Sequence, residues 1–70
     1  MNSKELKVQM IRKNKSVDEL CATIGISRSA WFRKVGGVSE FTQSEIACLR
    51  KELDLDDQQI IMIFFEKEVS

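Results

Sequence analysis

The chain has 70 residues with no proline and three glycines, hydrophobic residues fill 43% of its positions, and its formal net charge is zero. Such a length and composition exclude several domains, a disordered segment and a many-turned β-sandwich. The chain has no histidine, the side chain used most often for acid–base catalysis, and with only two cysteines it also lacks the ligands of a structural zinc site. We therefore expect residues 1–70 to form a single domain that is not an enzyme and needs no metal or cofactor.

The charges are unevenly divided between the two halves of the chain. Residues 1–38 carry eight basic and three acidic side chains, a net charge of +5, and residues 39–70 carry three basic and eight acidic ones, a net charge of −5. Such a division can present one positive face to a polyanion. The alternative is that solvated helix faces of like charge happen to cluster.

The first two predicted helices both begin with a capping signal. Asn2 and Glu5 have capping-box spacing before a helix that ends near Asn14. The apolar stripe of this helix comprises Leu6, Met10 and Ile11. Ser16 and Glu19 form a second capping box, which opens a helix with an apolar seam at Leu20 and Ile24. Gly25 follows directly and predicts its end, because glycine adopts the left-handed conformation at no steric cost.

The third predicted helix covers residues 28–35, with Ser27 as its N-cap. At 100° per residue, Trp31 and Val35 share a face, which we expect to be buried. The other side offers side chains that can read base edges and thymine methyl groups: Arg28, Ser29, Ala30, Phe32 and Arg33.

Two further helices complete the pattern. Thr42 with Glu45 opens the fourth, and Asp56 with Gln59 opens the fifth, which spans about residues 57–65. The apolar stripe of the fourth comprises Ile46, Leu49 and Leu53. Five helices with start signals and no alternating strand pattern predict an all-α fold.

The fifth helix is apolar on nearly every side, which one small domain cannot bury completely. Ile60, Ile63 and Phe64 share a side and are expected in the core. The remaining apolar residues are predicted to form a homodimer interface: Ile61, Met62 and Phe65. The alternative is that the C-terminal tail or the first helix covers them.

The cysteines and the longest apolar run indicate the cellular compartment in which the protein is expected. Because no signal peptide is evident, we expect Cys21 and Cys48 to be reduced, buried thiols in a cytoplasmic protein. The longest apolar run, residues 60–65, is too short to cross a bilayer, so we expect no membrane partner.

Residues 20–35, LCATIGISRSAWFRKV, resemble the helix-turn-helix of the lambda-repressor-like, Cro-type regulators. Gly25 lies at the turn glycine, Ile26 at the hydrophobic position after it and Trp31 at a core position. With FTQSEIACLRKELDL and IIMIFF, the chain is similar to small phage-related repressors of Gram-positive bacteria and mobile elements. The resemblance covers residues 4–66.

The resemblance implies a five-helix domain with its helix-turn-helix at residues 16–35, which regulates transcription by binding a double-stranded DNA operator as a dimer. The third helix would enter the major groove. Six residues are expected to contact phosphates: Lys15, Ser27, Lys34, Thr42, Gln43 and Ser44. No second domain for ligand sensing is evident, so we expect no small-molecule effector.

Two positions depart from the family pattern. Val17 stands where the family commonly has a phosphate-binding glutamine, and Cys21 stands where it usually has alanine. The cysteine is a small change in size, whereas the valine removes an anchoring contact. The alternative hypothesis is a protein-interaction module that uses the third helix, with Phe32 exposed, on a protein partner.

Overall fold

A computed structural model describes residues 1–65, and the regular structure in that part of the chain is helical throughout. The α-helices are α1 (Ser3–Arg12), α2 (Val17–Ile24), α3 (Arg28–Val35), α4 (Gln43–Leu53) and α5 (Asp57–Ile60), and a π-helical turn (Ile61–Phe65) continues α5. The all-α prediction is therefore confirmed for residues 1–65. Within these residues, no helix combines the length and the apolar character needed to span a membrane.

The predicted N-caps are confirmed at every α-helix. Each cap side chain accepts a hydrogen bond from the backbone N–H three residues later, and the caps are Asn2, Ser16, Ser27, Thr42 and Asp56. At α1 the box is not reciprocal, because the Glu5 carboxylate accepts from the Gln9 amide at 2.9 Å. The Asn2 N–H instead donates to the Ile63 carbonyl at 2.7 Å, which ties the start of α1 to the π-helical turn.

One apolar cluster receives side chains from all the helices. Its buried members are Leu6, Met10, Leu20, Cys21, Trp31, Phe41, Leu49, Leu53, Leu55, Ile60 and Ile63. Trp31 contacts Phe41 edge-to-face with ring centroids 5.4 Å apart, and Phe41 contacts Phe64 in the same way at 5.7 Å. Burying a side chain of this kind contributes about 1.5–3 kcal/mol, so this cluster fixes the position of α3.

The predicted apolar stripe of α1 is wrong at one position. Ile11 is 72% exposed, whereas Gln9 is buried beside Leu6 and Met10. Ile11 lies five residues after Leu6 and therefore about 140° around the helix, beyond the buried face. Gln9 can take the core position because its amide is hydrogen-bonded to Glu5.

The turn between α2 and α3 contains only residues 25–27. Gly25 has φ +86°, and its N–H donates to the Cys21 carbonyl at 2.8 Å. A Cβ atom at Gly25 would meet open space, so the backbone conformation rather than crowding favours glycine here. This turn sets the angle at which α3 leaves α2.

Both cysteines are unpaired thiols, and Cys21 is buried as predicted while Cys48 is half-buried. Burial raises the pKa of the Cys21 thiol, and the nearby Asp18 carboxylate raises it further against the opposing charge of Arg28. The thiol therefore stays protonated, as expected of a small core residue.

Candidate nucleic-acid interface

Helix α3 turns one face to the core and the other to solvent. Trp31 is 2% exposed and Val35 is half-buried against the core. Four of the predicted base-reading residues lie on the exposed side, namely Arg28, Ser29, Phe32 and Arg33, whereas Ala30 is half-buried. Because Phe32 is 54% exposed, α3 presents an aromatic ring to solvent together with two guanidinium groups and a hydroxyl.

Arg28 is paired with a carboxylate from the preceding helix. Its Nη1 lies 2.6 Å from Asp18 Oδ1, and its guanidinium carbon lies 5.7 Å from the centroid of the Phe32 ring. Both charged side chains are more than half exposed, so the pair contributes at most about 1 kcal/mol. Arg28 can therefore exchange this partner for another anion at small cost.

Arg33 forms no ion pair with any residue of the described part of the chain. Its backbone carbonyl accepts hydrogen bonds from the N–H groups of Val38 and Ser39 at 2.9 and 3.3 Å. The loop after α3 thus folds back on the backbone of Arg33, while the side chain is exposed.

The predicted phosphate contact of Lys34 does not fit its position. Its Nζ lies 2.8 Å from Glu45 Oε1 and donates to the Glu40 carbonyl at 3.2 Å, and the side chain is only 13% exposed. The physical reason is its place on α3, where it follows Trp31 by three residues and so lies beside the buried face. Lys34 links α3 to α4, and its charge is compensated internally.

Glu45 completes this link from the side of α4. Burial by itself would raise the pKa of the Glu45 carboxyl. The hydrogen bonds from Lys34 and from the Thr42 N–H, together with the charge of Lys34, outweigh this effect of burial. The pKa of Glu45 is therefore below its ordinary value. The Thr42 N–H lies 2.8 Å from Glu45 Oε1, and the Thr42 hydroxyl accepts from the Glu45 N–H at 3.2 Å. The start of α4 is therefore fixed relative to α3.

The other predicted phosphate ligands lie at two helix starts and in the loop before α2. Thr42, Gln43 and Ser44 are exposed at the start of α4. Ser27 is exposed, and its hydroxyl accepts from the Ala30 N–H at 3.1 Å. Lys15 Nζ lies 3.8 Å from Glu52 Oε2, and its side chain is one-third exposed.

Val17 lies at the N-terminus of α2 and packs against the core. It lines a groove of about 230 Å³ between α1, α2 and α3, whose other lining residues include Lys4, Lys7, Met10, Phe32 and Val35. We name this the α1–α3 groove. Sequence reasoning did not predict this groove, because its walls come from three helices.

The fifth helical segment exposes the three residues predicted for a dimer interface. Ile61 is 51% exposed, Met62 36% and Phe65 66%. Val38 is 78% exposed, and its neighbours Gly37 and Ser39 line a second groove together with Phe65. Val38 was missed as a surface residue because it lies in a loop outside the helical pattern.

Comparison with models of known protein families, with curated proteins and with solved structures finds no match to this chain.

Proposed function

We propose that this chain is a lambda-repressor-like helix-turn-helix protein that binds operator DNA sequence-specifically and regulates transcription. The observation that carries the proposal is the exposed face of α3, which presents Arg28, Ser29, Phe32 and Arg33 while Trp31 holds the opposite face in the core. Arginine is the side chain that most often reads guanine in the major groove, and apolar groups contact thymine methyls.

The arrangement of α2 and α3 supports this proposal. Three residues join the two helices, and Gly25 in the left-handed conformation makes the turn, as is typical of a helix-turn-helix. Helix α3 has eight residues and spans about 12 Å, which gives about two turns for contact with base edges. The ion pair between Lys34 and Glu45 braces the end of α3 against α4.

The distribution of charge supports a polyanionic ligand. The elements from α1 to α3 lie within residues 1–38, which carry the net charge of +5. Attraction of this kind accounts for most sequence-independent DNA binding and weakens as salt is added. With no histidine in the sequence, we propose binding rather than catalysis as the role of this surface.

We also propose that the chain binds DNA as a homodimer through Ile61, Met62 and Phe65. A two-fold protein matches a palindromic operator, since each protomer then reads one half-site. The exposed apolar side chains of the π-helical turn supply a surface for the second copy.

The direct test is DNA binding by the wild type and by Arg33→Ala, measured by fluorescence anisotropy on duplexes selected from random DNA. Loss of a base contact from Arg33 should weaken binding by about 1–3 kcal/mol. Lys51→Ala is the control, because it removes one exposed positive charge from α4 instead. The base-reading role of Arg33 is contradicted if the wild type and Arg33→Ala bind with equal affinity, or if the affinity does not depend on salt concentration.

A second candidate is a protein-interaction module on the same scaffold. It is favoured by Val17, which gives the α1–α3 groove an apolar wall, and by the exposed ring of Phe32 in the same groove. Pull-down from a host lysate with and without nuclease separates the two functions. A partner that persists after nuclease treatment, together with no binding to selected DNA, supports this second function.

A further inference from the structure

The α1–α3 groove joins the exposed face of α3 to the first helix. Phe32 belongs to both, since it lies on the exposed side of α3 and also lines the groove. Lys4 and Lys7 line the same groove from α1, where a spacing of three residues places them on one side of the helix. Two exposed ammonium groups therefore lie next to the proposed reading surface.

These two lysines differ from the other lysines of residues 1–38. Lys13, Lys15 and Lys34 each lie within 4 Å of a carboxylate, at 3.9, 3.8 and 2.8 Å. Lys4 and Lys7 make no ion pair with residues 1–65. Their charges are thus uncompensated within the described structure, and an external anion can pair with them.

We propose that the sugar–phosphate backbone of duplex DNA crosses the mouth of the α1–α3 groove, with Lys4 and Lys7 bound to its phosphates. This inference rests on the proposed function. If α3 lies in the major groove of a duplex, the backbone of one DNA strand runs alongside this helix. On the side of α3 that carries Phe32, this strand would lie over the α1–α3 groove, which Phe32 lines. Val17 has no side-chain donor, so the lysines supply the phosphate contacts from the opposite wall.

The charges favour DNA over an acidic peptide as the occupant. Arg33, which forms no ion pair with residues 1–65, adds a third uncompensated positive charge on α3, and several such charges suit an extended polyanion. Of the acids near this surface, Asp18 is paired with Arg28, and Glu5 on α1 accepts a hydrogen bond from the Gln9 amide. The apolar wall formed by Val17 and Phe32 is compatible with the deoxyribose rings between phosphates.

The test measures how DNA affinity depends on salt for Lys4→Gln, Lys7→Gln and the double variant, by anisotropy. One probe is a mixed-sequence duplex two helical turns long, and the other is a duplex selected from random DNA. Each lost phosphate contact should lower the slope of log affinity against log salt by about 0.9, so the double variant loses about 1.8. The affinities for the two duplexes should fall by the same factor, because phosphates carry no sequence information.

Lys51→Gln is the matched control, because it makes the same charge change on α4 and should leave the slope unchanged. Thermal unfolding by circular dichroism checks that each variant is folded. If the wild type binds DNA but the double variant keeps the wild-type slope, this inference fails and the proposed function stands. If the wild type binds neither duplex, the proposed function fails and this inference with it.

A protein occupant would give a third pattern. The double variant would then keep its salt slope on DNA and lose a partner captured from nuclease-treated lysate. That result overturns the phosphate assignment and makes the α1–α3 groove a contact site for a protein partner.

Discussion

Asp18 places a carboxylate 2.6 Å from the Arg28 guanidinium at the start of the proposed reading helix. The pair holds Arg28 near the Phe32 ring and compensates one positive charge of the proposed DNA-binding surface. Any phosphate or guanine that takes Arg28 must first displace this carboxylate. If α3 binds DNA as proposed, Asp18 competes with the DNA for Arg28 and lowers the DNA affinity by about the free energy of an exposed ion pair.

Replacing Asp18 with asparagine should tighten DNA binding. An exposed pair is worth about 0.2–1 kcal/mol, which corresponds to an increase in affinity of up to roughly fivefold. Anisotropy with selected duplexes measures the change. Asp54→Asn is the control, since it also breaks an exposed ion pair, that with Lys13 at 3.9 Å, but lies in the turn after α4 in a left-handed conformation that asparagine also tolerates. Weaker binding by Asp18→Asn would show that Asp18 orients Arg28 for DNA instead of competing with it.

The orientation of single residues could be predicted where it depends on one helix alone. The bounds of the third helix were predicted correctly, so Trp31 was placed inside and Phe32 outside. The partners of Arg28 and Lys34 could not be predicted in this way. Asp18 and Glu45 lie 10 and 11 residues away from them along the chain. Whether such side chains meet depends on the angles between helices, which the periodicity of the sequence does not contain.

At the scale of the helices, the ion pair of Lys34 with Glu45 joins α3 to α4. Both side chains are 13% exposed, so each would be left with a largely desolvated charge if the other were removed. The same carboxylate accepts the Thr42 N–H and thereby completes the cap of α4. One carboxyl group thus fixes the start of α4 and the end of α3 together.

The wild type should therefore lose stability in acid through this carboxyl. Because the pKa of Glu45 is lowered by folding, its contribution is complete above the ordinary value of 4.5 and is lost as pH falls through the lower folded pKa. Glu45→Gln should lower the free energy of unfolding by about 1–3 kcal/mol at neutral pH and flatten its dependence on pH in this window.

Urea unfolding at a series of pH values measures both effects. Glu40→Gln is the matched control, because Glu40 is exposed and only its backbone carbonyl contacts Lys34. We expect this control to keep the wild-type dependence on pH. Equal pH dependence of Glu45→Gln and the wild type would contradict a structural role for the ionised carboxyl.

Helix starts were predictable from the sequence because caps depend on residues three apart. The capping boxes at Ser16, Thr42 and Asp56 are present as expected. The fifth helical segment was predicted over about residues 57–65, but the π-helical geometry of Ile61–Phe65 was not predictable. The Ile63 carbonyl in that turn accepts from the Asn2 N–H, a contact between opposite ends of the described chain. Local spacing carries no information about such a contact.

For the whole molecule, two groups of exposed apolar residues bear on the proposed function, apart from the single exposed side chains of α1 and of the loop after α3. Phe32 lies on α3 within the proposed DNA surface, whereas Ile61, Met62 and Phe65 lie on the π-helical turn. A cluster of exposed apolar side chains, such as that on the π-helical turn, is typical of protein–protein contact surfaces. If the π-helical turn binds a second copy, each protomer keeps its α3 available for one half of a two-fold operator.

The double variant Ile61→Ser/Phe65→Ser should therefore be monomeric at concentrations where the wild type is a dimer, as measured by sedimentation equilibrium. It should remain folded, because both side chains are exposed and the core residue Ile63 between them is unchanged. Phe32→Ser is the matched control, since it removes an equally apolar ring that is 54% exposed on α3 and should leave the dimer intact.

DNA binding by the double variant should lose its steep dependence on protein concentration, because each monomer then binds one half-site independently. A wild type that sediments as a monomer and binds a selected duplex as a single copy contradicts this interface, and the exposed apolar turn then needs another partner.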